Sequence, residues 1–402
     1  MKRVVITGAG AISALGRNVL EHYRSIEKGI CGIKELKILD LDSLSIKMGA
    51  MVEGYQESEY FSSQQCSIFD RYTQFSIIAA NEAMLQSGFE ITATNCVKVG
   101  VIIGNSGGGL QTLDENYRNV FRHNKKRLHP FIVPKLMANA ASSQLSIIFN
   151  IQGPSFTVSA ACASSNHAMG QAFKLIQSGQ LTGAITGGSE SMLCFGGLKA
   201  WEGLRVMSNT TCRPFSINRD GMVQGEGAAI YFFEEYEHAK KRGATILAEI
   251  VGFSMTSDAS DIVKPSKDGA KRAMLVALDD AKLDRSQIDY VNAHGTGTVL
   301  NDRTESQALN EVFPGSSRVP LVSSTKSMHG HLIGGAGAIE LVSCIMSLKY
   351  NLIPPTLNFE GFDPDCNLNL VVNNIIEKKV NYVLSNAFAF GGTNSVLIIK
   401  KF

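Results

Sequence analysis

The chain carries almost no net charge: 38 lysines and arginines against 36 aspartates and glutamates leave +2 over 402 residues. Bulk electrostatic binding needs an excess of cations to displace phosphate counter-ions, so no nucleic-acid partner is expected. An unbroken apolar run of the ~18 residues that cross a bilayer is missing, and no membrane span is expected. Met1-Lys2-Arg3 leads straight into a strand pattern, without the longer apolar stretch of a signal peptide. The eight cysteines fall singly, at positions such as Cys31, Cys96 and Cys344, with neither a zinc-site spacing nor a disulfide framework. His329-x-His331 has no second close Cys or His pair beside it, so no metal is expected. No Pro- or Ser-rich linker divides the chain, which points to one compact unit.

What the sequence does contain is an alternation of strand-like and helical runs, the pattern of an α/β fold. Val4 to Ala11 reads as a first strand, Asp70 to Gln86 as a helix stopped by Gly88, and Val97 to Ile103 as a strand entering a glycine loop at 104–109. Gly183 to Gly188 and Ala228 to Phe233 add strands. A second series opens with a strand at Ile246 to Phe253 and a helix near Ala270 to Ala281, and it ends with strands on either side of Gly391-Gly392. The two series suggest a faint internal repeat, with halves at 1–245 and 246–402. Gly8-x-Gly10 looks like the start of a dinucleotide site, but Ser13 stands where the third glycine belongs and no acidic partner follows at the right distance. It reads instead as the first strand and turn of the fold.

Three turns carry the chemistry. Phe156 to Val158 is strand-like and turns at Ala160-Ala161-Cys162-Ala163 into a helix with Ala168, Ala172, Phe173 and Ile176 on one stripe. A thiol at that turn faces the positive end of the helix, which favours thiolate. Lowering its pKa from ~8.5 to ~7 would raise the ionised share from about 3% to about half, a gain of roughly 2 kcal/mol. Further along, Ile288-Asp289-Tyr290 leads to His294 in Asn292-Ala293-His294-Gly295-Thr296-Gly297-Thr298, and Pro320-Leu321-Val322 leads to Lys326-Ser327-Met328-His329-Gly330-His331. Both histidine turns fall at strand ends, where ligands bind in open α/β folds.

These three segments resemble the signatures of the elongating β-ketoacyl-acyl-carrier-protein synthases, type II branch. Arg213-Pro214-Phe215 through Gly227, and Ser385 through Asn394, agree as well, in the family's order along the whole chain. The resemblance implies a thiolase-like duplicated fold of five layers, α-β-α-β-α. It also implies a decarboxylative Claisen condensation of malonyl carrier with an acyl group held on Cys162. A thiol suits near-balanced exchange with thioesters. His294 and His331, as neutral imidazoles, would stabilise the enolate formed on decarboxylation; such donors are typically worth roughly 3–4 kcal/mol each. By resemblance, the backbone N–H groups of Cys162 and Phe390 hold the acyl oxyanion, and Phe390 is also a gate. Lys326 joins a buried network with Glu340 and with Asp302 or Glu305, its charge keeping His331 neutral. Thr296 and Thr298 match the pantetheine channel. No cofactor is implied beyond the phosphopantetheine of the acyl carrier protein, and a dimer is expected. A working thiol prefers a reducing compartment, so a cytoplasmic enzyme is expected.

Departures from the housekeeping enzymes refine this expectation. Gly107 stands where a bulky aliphatic residue narrows the acyl pocket; its loss widens the cavity, unless glycine serves a turn there. Cys66-Ser67-Ile68-Phe69 replaces a basic pair that helps dock the acidic carrier, leaving Arg205 and the Lys125-Lys126-Arg127 cluster for that task. Val263 stands for a pantetheine-contacting threonine, and Ala389 for a glycine of the gating loop. With Ser165-Asn166-His167 and Gly297, these choices resemble nodulation-factor, type II polyketide and aryl-polyene ketosynthases. Such subunits often pair with a chain-length-factor-like paralogue, so either a homodimer or a heterodimer is expected. A housekeeping fatty-acid synthase is the alternative. A degradative thiolase lacks support because Asn386 to Asn394 holds no cysteine, and an initiating synthase would use Cys-His-Asn. A non-catalytic chain-length or scaffold subunit would have no need of Cys162, His294 and His331 together.

Overall fold

Strands apolar on both faces must be covered on both, and that requirement sets the layering of this molecule. The computed structural model describes residues 1–315 and 319–402. Among them, a ten-stranded sheet takes five strands from the first series: β1 (Val4–Ser13), β2 (Val99–Gly104), β3 (Ser155–Val158), β4 (Gly183–Glu190) and β5 (Gly227–Glu235). Five come from the second: β6 (Ala248–Ser257), β7 (Tyr290–Asn292), β8 (Leu321–Ser323), β9 (Tyr382–Ala389) and β10 (Thr393–Lys400).

The first set pairs in the order β3-β2-β4-β5-β1 and the second in the order β8-β7-β9-β10-β6. These are the same topology. In each set the third, second and fourth strands run parallel, and the fifth is antiparallel to both of its neighbours. The internal repeat that is faint in the sequence is therefore explicit in the fold. The sets join edge to edge where Val4, Val5 and Ile6 pair antiparallel with Ile250, Glu249 and Ala248.

Side-chain alternation shows what covers each face. Along β5, Ala229, Tyr231 and Phe233 enter one core while Ala228, Ile230 and Phe232 enter another. Along β10, Leu397 and Ile399 enter that same first core and Val396 and Ile398 a third. The shared core is filled by α2 (Ser164–Gln177) and α5 (Ala336–Tyr350), which pack on each other and on strands of both sets. Outside, α1 (Arg71–Ser87) covers the first set, and α3 (Lys267–Ala281), backed by α4 (Val299–Val312), covers the second. Five layers result, with helices α2 and α5 in the middle one.

Local signals explain the boundaries. Asp70 caps α1 by accepting from the Tyr72 N–H, and Gly88 ends it in the left-handed region at φ 59. Beads of glycine in β1 serve packing: a Cβ on Gly8 or Gly10 would overlap the carbonyl oxygens of Ala83 and Ala79 on α1. That accounts for the Gly-x-Gly pattern without a dinucleotide. In the second half Ser266 caps α3, its hydroxyl accepting from the Gly269 N–H. Residues Ile333–Tyr350 are long and apolar enough by composition to cross a membrane, but nearly all of this segment is buried inside the fold as α5 and the turn before it. A helix buried all round has no polar face to show a period.

The central layer is tight. On α2, Ala168, Ala172, Phe173 and Ile176 are buried, and a Cβ on Gly170 would overlap the Phe253 ring of β6. Gly170→Ala is therefore expected to destabilise the fold by about 1–3 kcal/mol. Helix propensity alone would favour alanine by ~1 kcal/mol, so urea unfolding separates the two effects by sign.

Candidate active site

The repeat places the chemistry in equivalent turns. Cys162 follows β3, the third strand of its set, and leads into α2; His331 follows β8, the third strand of the other set, and leads toward α5. His294 follows the neighbouring β7. All three turns emerge from strand C-termini, as sites in open α/β sheets do.

At the first turn Ala161 is held at φ 44, a left-handed conformation that a non-glycine residue adopts only when its surroundings enforce it. Ser164 enforces it: its hydroxyl accepts from the Ala160 N–H at 2.8 Å and donates to the Ala161 carbonyl at 2.7 Å. The bend presents the Cys162 thiol to the two histidines. The Cys162 Sγ and one ring nitrogen from each of His294 and His331 lie within 4.8 Å of one another. The imidazole rings meet edge to face, with centroids 5.4 Å apart.

A hydrogen bond fixes the role of the His331 ring. The Ile333 N–H donates to His331 Nδ1 at 3.2 Å, so the ring proton sits on Nε2. Among the described residues that Nε2 is buried without a partner of its own, which leaves it free as a donor to substrate. The His331 backbone is tied to the segment 223–225, its N–H donating to the Val223 carbonyl at 2.7 Å. His294 is held through its peptide: Glu305 accepts from the N–H groups of His294 (2.8 Å) and Gly295 (2.7 Å), and Lys326 Nζ donates to the His294 carbonyl at 2.5 Å.

Lys326 is fully buried and also donates to the Glu340 carboxylate on α5. Glu305 joins this network through the His294 peptide and the Asn386 amide, 3.0 Å away. Asp302, one turn earlier on α4, does a different task. It accepts from the N–H groups of Thr296, Gly297 and Phe215 and faces the Arg219 guanidinium, bracing the turn that carries Thr296 and Thr298.

Burial, reinforced by the Lys326 charge, holds both His294 and His331 well below the usual histidine range, so the rings are neutral at pH 7. The thiol corrects an expectation. Burial pushes Cys162 up to about 12, although Lys326 and the N–H groups of Phe390 and Cys162 itself pull the other way. Cys162 is 6% exposed, inside an apolar cluster with Met192, Leu198 and Ile333, and α2 begins only at Ser164. Desolvation outweighs the helix end. The resting site is a neutral thiol beside two neutral imidazoles.

These groups open on a cavity of about 250 Å³ lined also by Thr296, Thr298, Phe390 and Ala389. The two threonine hydroxyls bond each other at 2.8 Å. Phe390 stacks on Trp201 with centroids 5.9 Å apart, and Gly391 and Gly392 behind it take φ 81 and 66. Exposed residues of the lining, among them Arg205, Val263, Lys264 and Leu300, form the mouth. Lys125, Lys126 and Arg127 are exposed but do not line it. Gly107 does not line it either, because the Met192 side chain fills the space over that glycine.

Sequence reasoning missed Glu190. This buried carboxylate accepts from the N–H groups of Ser106, Gly107 and Gly334 and from the Asn105 amide, joining the glycine loop to the turn after His331. Burial raises it to about 7. A lone acid ending the small-residue run Gly183 to Ser189 was its only signal.

Residues 1–239 match the N-terminal domain of the β-ketoacyl synthases and residues 247–360 their C-terminal domain. The chain is 40% identical over 400 residues to Nodulation protein E of Rhizobium sp. (strain N33), covering 100% of this chain and 99% of that one. It is 36% identical over 408 residues to 3-oxoacyl-[acyl-carrier-protein] synthase 2 of Staphylococcus aureus (strain COL), with the same coverage. A solved structure, the ishigamide ketosynthase/chain length factor, matches with a TM-score of 0.94 at 30% identity, covering 100% of this chain and 99% of that chain. Matches that run through both halves and relatives of equal length lead to one conclusion: the chain belongs to the β-ketoacyl synthase family, acyltransferases with a thiolase-like fold.

Proposed function

We propose that Cys162 carries the growing acyl group, that His294 and His331 stabilise the enolate of the malonyl unit, and that the product is a dedicated unsaturated or polyketide chain. The observation that carries the chemistry is the convergence of one sulfur and two ring nitrogens within 4.8 Å. In the first half-reaction the sulfur bonds the acyl carbonyl, the carrier thiol leaves, and the Cys162 proton departs with it. The transient oxyanion takes hydrogen bonds from the N–H groups of Cys162 and Phe390. In the second, malonyl carrier loses carbon dioxide, its thioester oxygen becomes an enolate, and the enolate carbon displaces Cys162. The cysteine leaves as thiolate when the new carbon–carbon bond forms and takes up one proton from solvent, restoring the neutral thiol. Lys326 and Glu340 act as positioning residues, and no cofactor or metal enters any step.

The partner is an acyl carrier protein, whose phosphopantetheine arm would pass Thr296 and Thr298. Docking is assigned to the mouth, where exposed Val299 and Leu300 stand with Arg205 and Lys264. Arg205→Glu is expected to raise KM for acyl carrier protein about tenfold, by removing one charge pair and adding a repulsion. Turnover with a free pantetheine thioester should stay as it was. Equal losses on both substrates would move docking elsewhere.

A second subunit is proposed on the opposite edge. Among the described residues strand β3 has no neighbour on its outer side, Ile147 is exposed on the helix packed against it, and Phe121, Phe131 and Val133 are exposed in the segment 110–136 that precedes that helix. Open edges flanked by apolar surface invite strand pairing. Lys125, Lys126 and Arg127 belong to this segment, not to the mouth. The occupant is a second copy or a chain-length-factor-like paralogue, in a reducing cytoplasm that keeps Cys162 free.

The test is intact-mass detection of acyl-Cys162 followed by analysis of product length and reduction state. Fully reduced products of general fatty-acid length would favour the housekeeping reading. Elongation at full rate by the purified chain alone, as a homodimer, would refute the need for a paralogue.

A further inference from the structure

The turn between His331 and α5 holds a conformation that its own residue would not choose. Ile333 stands at φ 45, in the left-handed region, where a β-branched side chain is an outlier that its surroundings must enforce. Both peptides flanking Ile333 are pinned. On the near side its N–H donates to His331 Nδ1 at 3.2 Å. On the far side the Gly334 N–H donates to Glu190 Oε2 at 3.1 Å. With the far peptide released, Ile333 is free to relax to a negative φ, and that rotation swings its N–H off the imidazole.

Glu190 is built to hold that peptide. It ends β4 and is fully buried. Among the described residues its bonds come from uncharged N–H groups alone. The Asn105 amide (3.1 Å) and the Gly107 N–H (3.3 Å) donate to Oε1, and the Ser106 N–H (2.9 Å) joins Gly334 on Oε2. Four donors call for four acceptor sites, which a carboxylate supplies and an amide does not. Three of the four belong to the glycine loop and anchor the carboxylate; the fourth reaches across to the turn. Space has been cleared for it, since a Cβ on Gly334 would lie 2.7 Å from Glu190 Oε2 and 2.6 Å from the Ser106 nitrogen. Burying a carboxylate among neutral partners is costly, and the strained turn is what that cost secures.

We propose that Glu190 is a positioning residue for His331: it holds the Gly334 peptide, so that Ile333 stays left-handed and the His331 ring keeps its proton on Nε2, facing substrate. This rests on the ketosynthase reading and adds a residue to its second half-reaction. The hold on Gly334 needs an oxygen, not a charge, so it survives protonation of Glu190.

The test measures carbon dioxide release from malonyl carrier, acyl-Cys162 by intact mass, and the ring ¹⁵N signals of His331, assigned by their loss in His331→Ala. Glu190→Gln keeps the length and, with its oxygen on the shorter pair of bonds, still accepts from Ser106 and Gly334. Decarboxylation should then fall no more than about threefold, because the bond that matters is kept, and the Nε2-protonated ring should persist. Glu190→Asp keeps the charge but stops one methylene short. It should slow decarboxylation about tenfold or more through a misplaced donor, and the ring should show both tautomers. Acyl-enzyme formation should not fall in either variant. Glu190→Met has no acceptor and should match the aspartate loss; it carries the test if the aspartate chain does not fold. A glutamine loss as large as the aspartate loss overturns the proposal. So does full decarboxylation with an unchanged ring spectrum in the folded Asp or Met chain. An unaltered protein that releases no carbon dioxide from malonyl carrier, its ring spectrum as stated, would instead sink the ketosynthase reading.

Discussion

Cys162→Ala is expected to abolish condensation, with a loss of at least about 10⁴-fold, while decarboxylation of malonyl carrier continues. The two half-reactions use different atoms. Acyl transfer needs a sulfur to form the thioester, and among the described residues no other thiol lines this site: Cys194 and Cys212 are buried outside the cavity lining. Decarboxylation needs donors to the enolate oxygen, and His294 and His331 keep their backbone anchors when the sulfur is gone. The variant should fold. Positive φ falls on Ala161, not on residue 162, and the brace from Ser164 involves Ala160 and Ala161. Losing one buried sulfur atom removes on the order of 1 kcal/mol of apolar packing. The measurements are acyl-enzyme mass, ketoacyl product, carbon dioxide release and a thermal midpoint on one preparation. Simultaneous loss of product and of carbon dioxide release, with the midpoint unchanged, would mean that the sulfur and imidazoles are one inseparable unit.

What could be read in advance follows from the range of the interactions. Helix α1 was legible because its cap, its length and its stop are local: Asp70, seventeen helical residues and Gly88. The Cys162, His294 and His331 turns were legible because small residues at a strand end are a local pattern too. Helix α5 was not, since residues 336–348 are all buried and leave no polar face to mark a period. The Gly107–Met192 pairing was out of reach for another reason. The two residues lie far apart in sequence, and only their meeting shows whether glycine serves the backbone or a neighbour's volume. The thiol was misjudged on the same ground: the helix end is a sequence feature, whereas burial is a property of the packed cluster. Glu190 joins these, a single acid whose partners at 105–107 and 334 come together only in three dimensions.

His331→Ala is expected to slow decarboxylation by about 10²–10³-fold, the usual cost of removing one preorganised donor to a developing oxyanion. The acyl-enzyme should still form. The argument is the tautomer: with Nδ1 accepting from the Ile333 N–H, Nε2 carries the proton and can donate but not accept. A group in that state serves the enolate and is no base for the thiol, so the loss belongs to the second half-reaction. The pH profile supplies an independent check. Both imidazoles are neutral because burial and then Lys326 hold them well below the ordinary range. Decarboxylation should therefore stay level as pH falls from 8 through ~6.5, where a solvent-exposed histidine would already be half protonated. Lys326→Met removes the nearby cation and leaves burial in place, so the acid limb should move up toward that value without reaching it. A limb already at ~6.5 in the unaltered protein would show that the rings are wetter than their burial implies. A limb unmoved by Lys326→Met would show that desolvation alone keeps them neutral. Lys326 would then matter only through its bonds to the His294 carbonyl and Glu340.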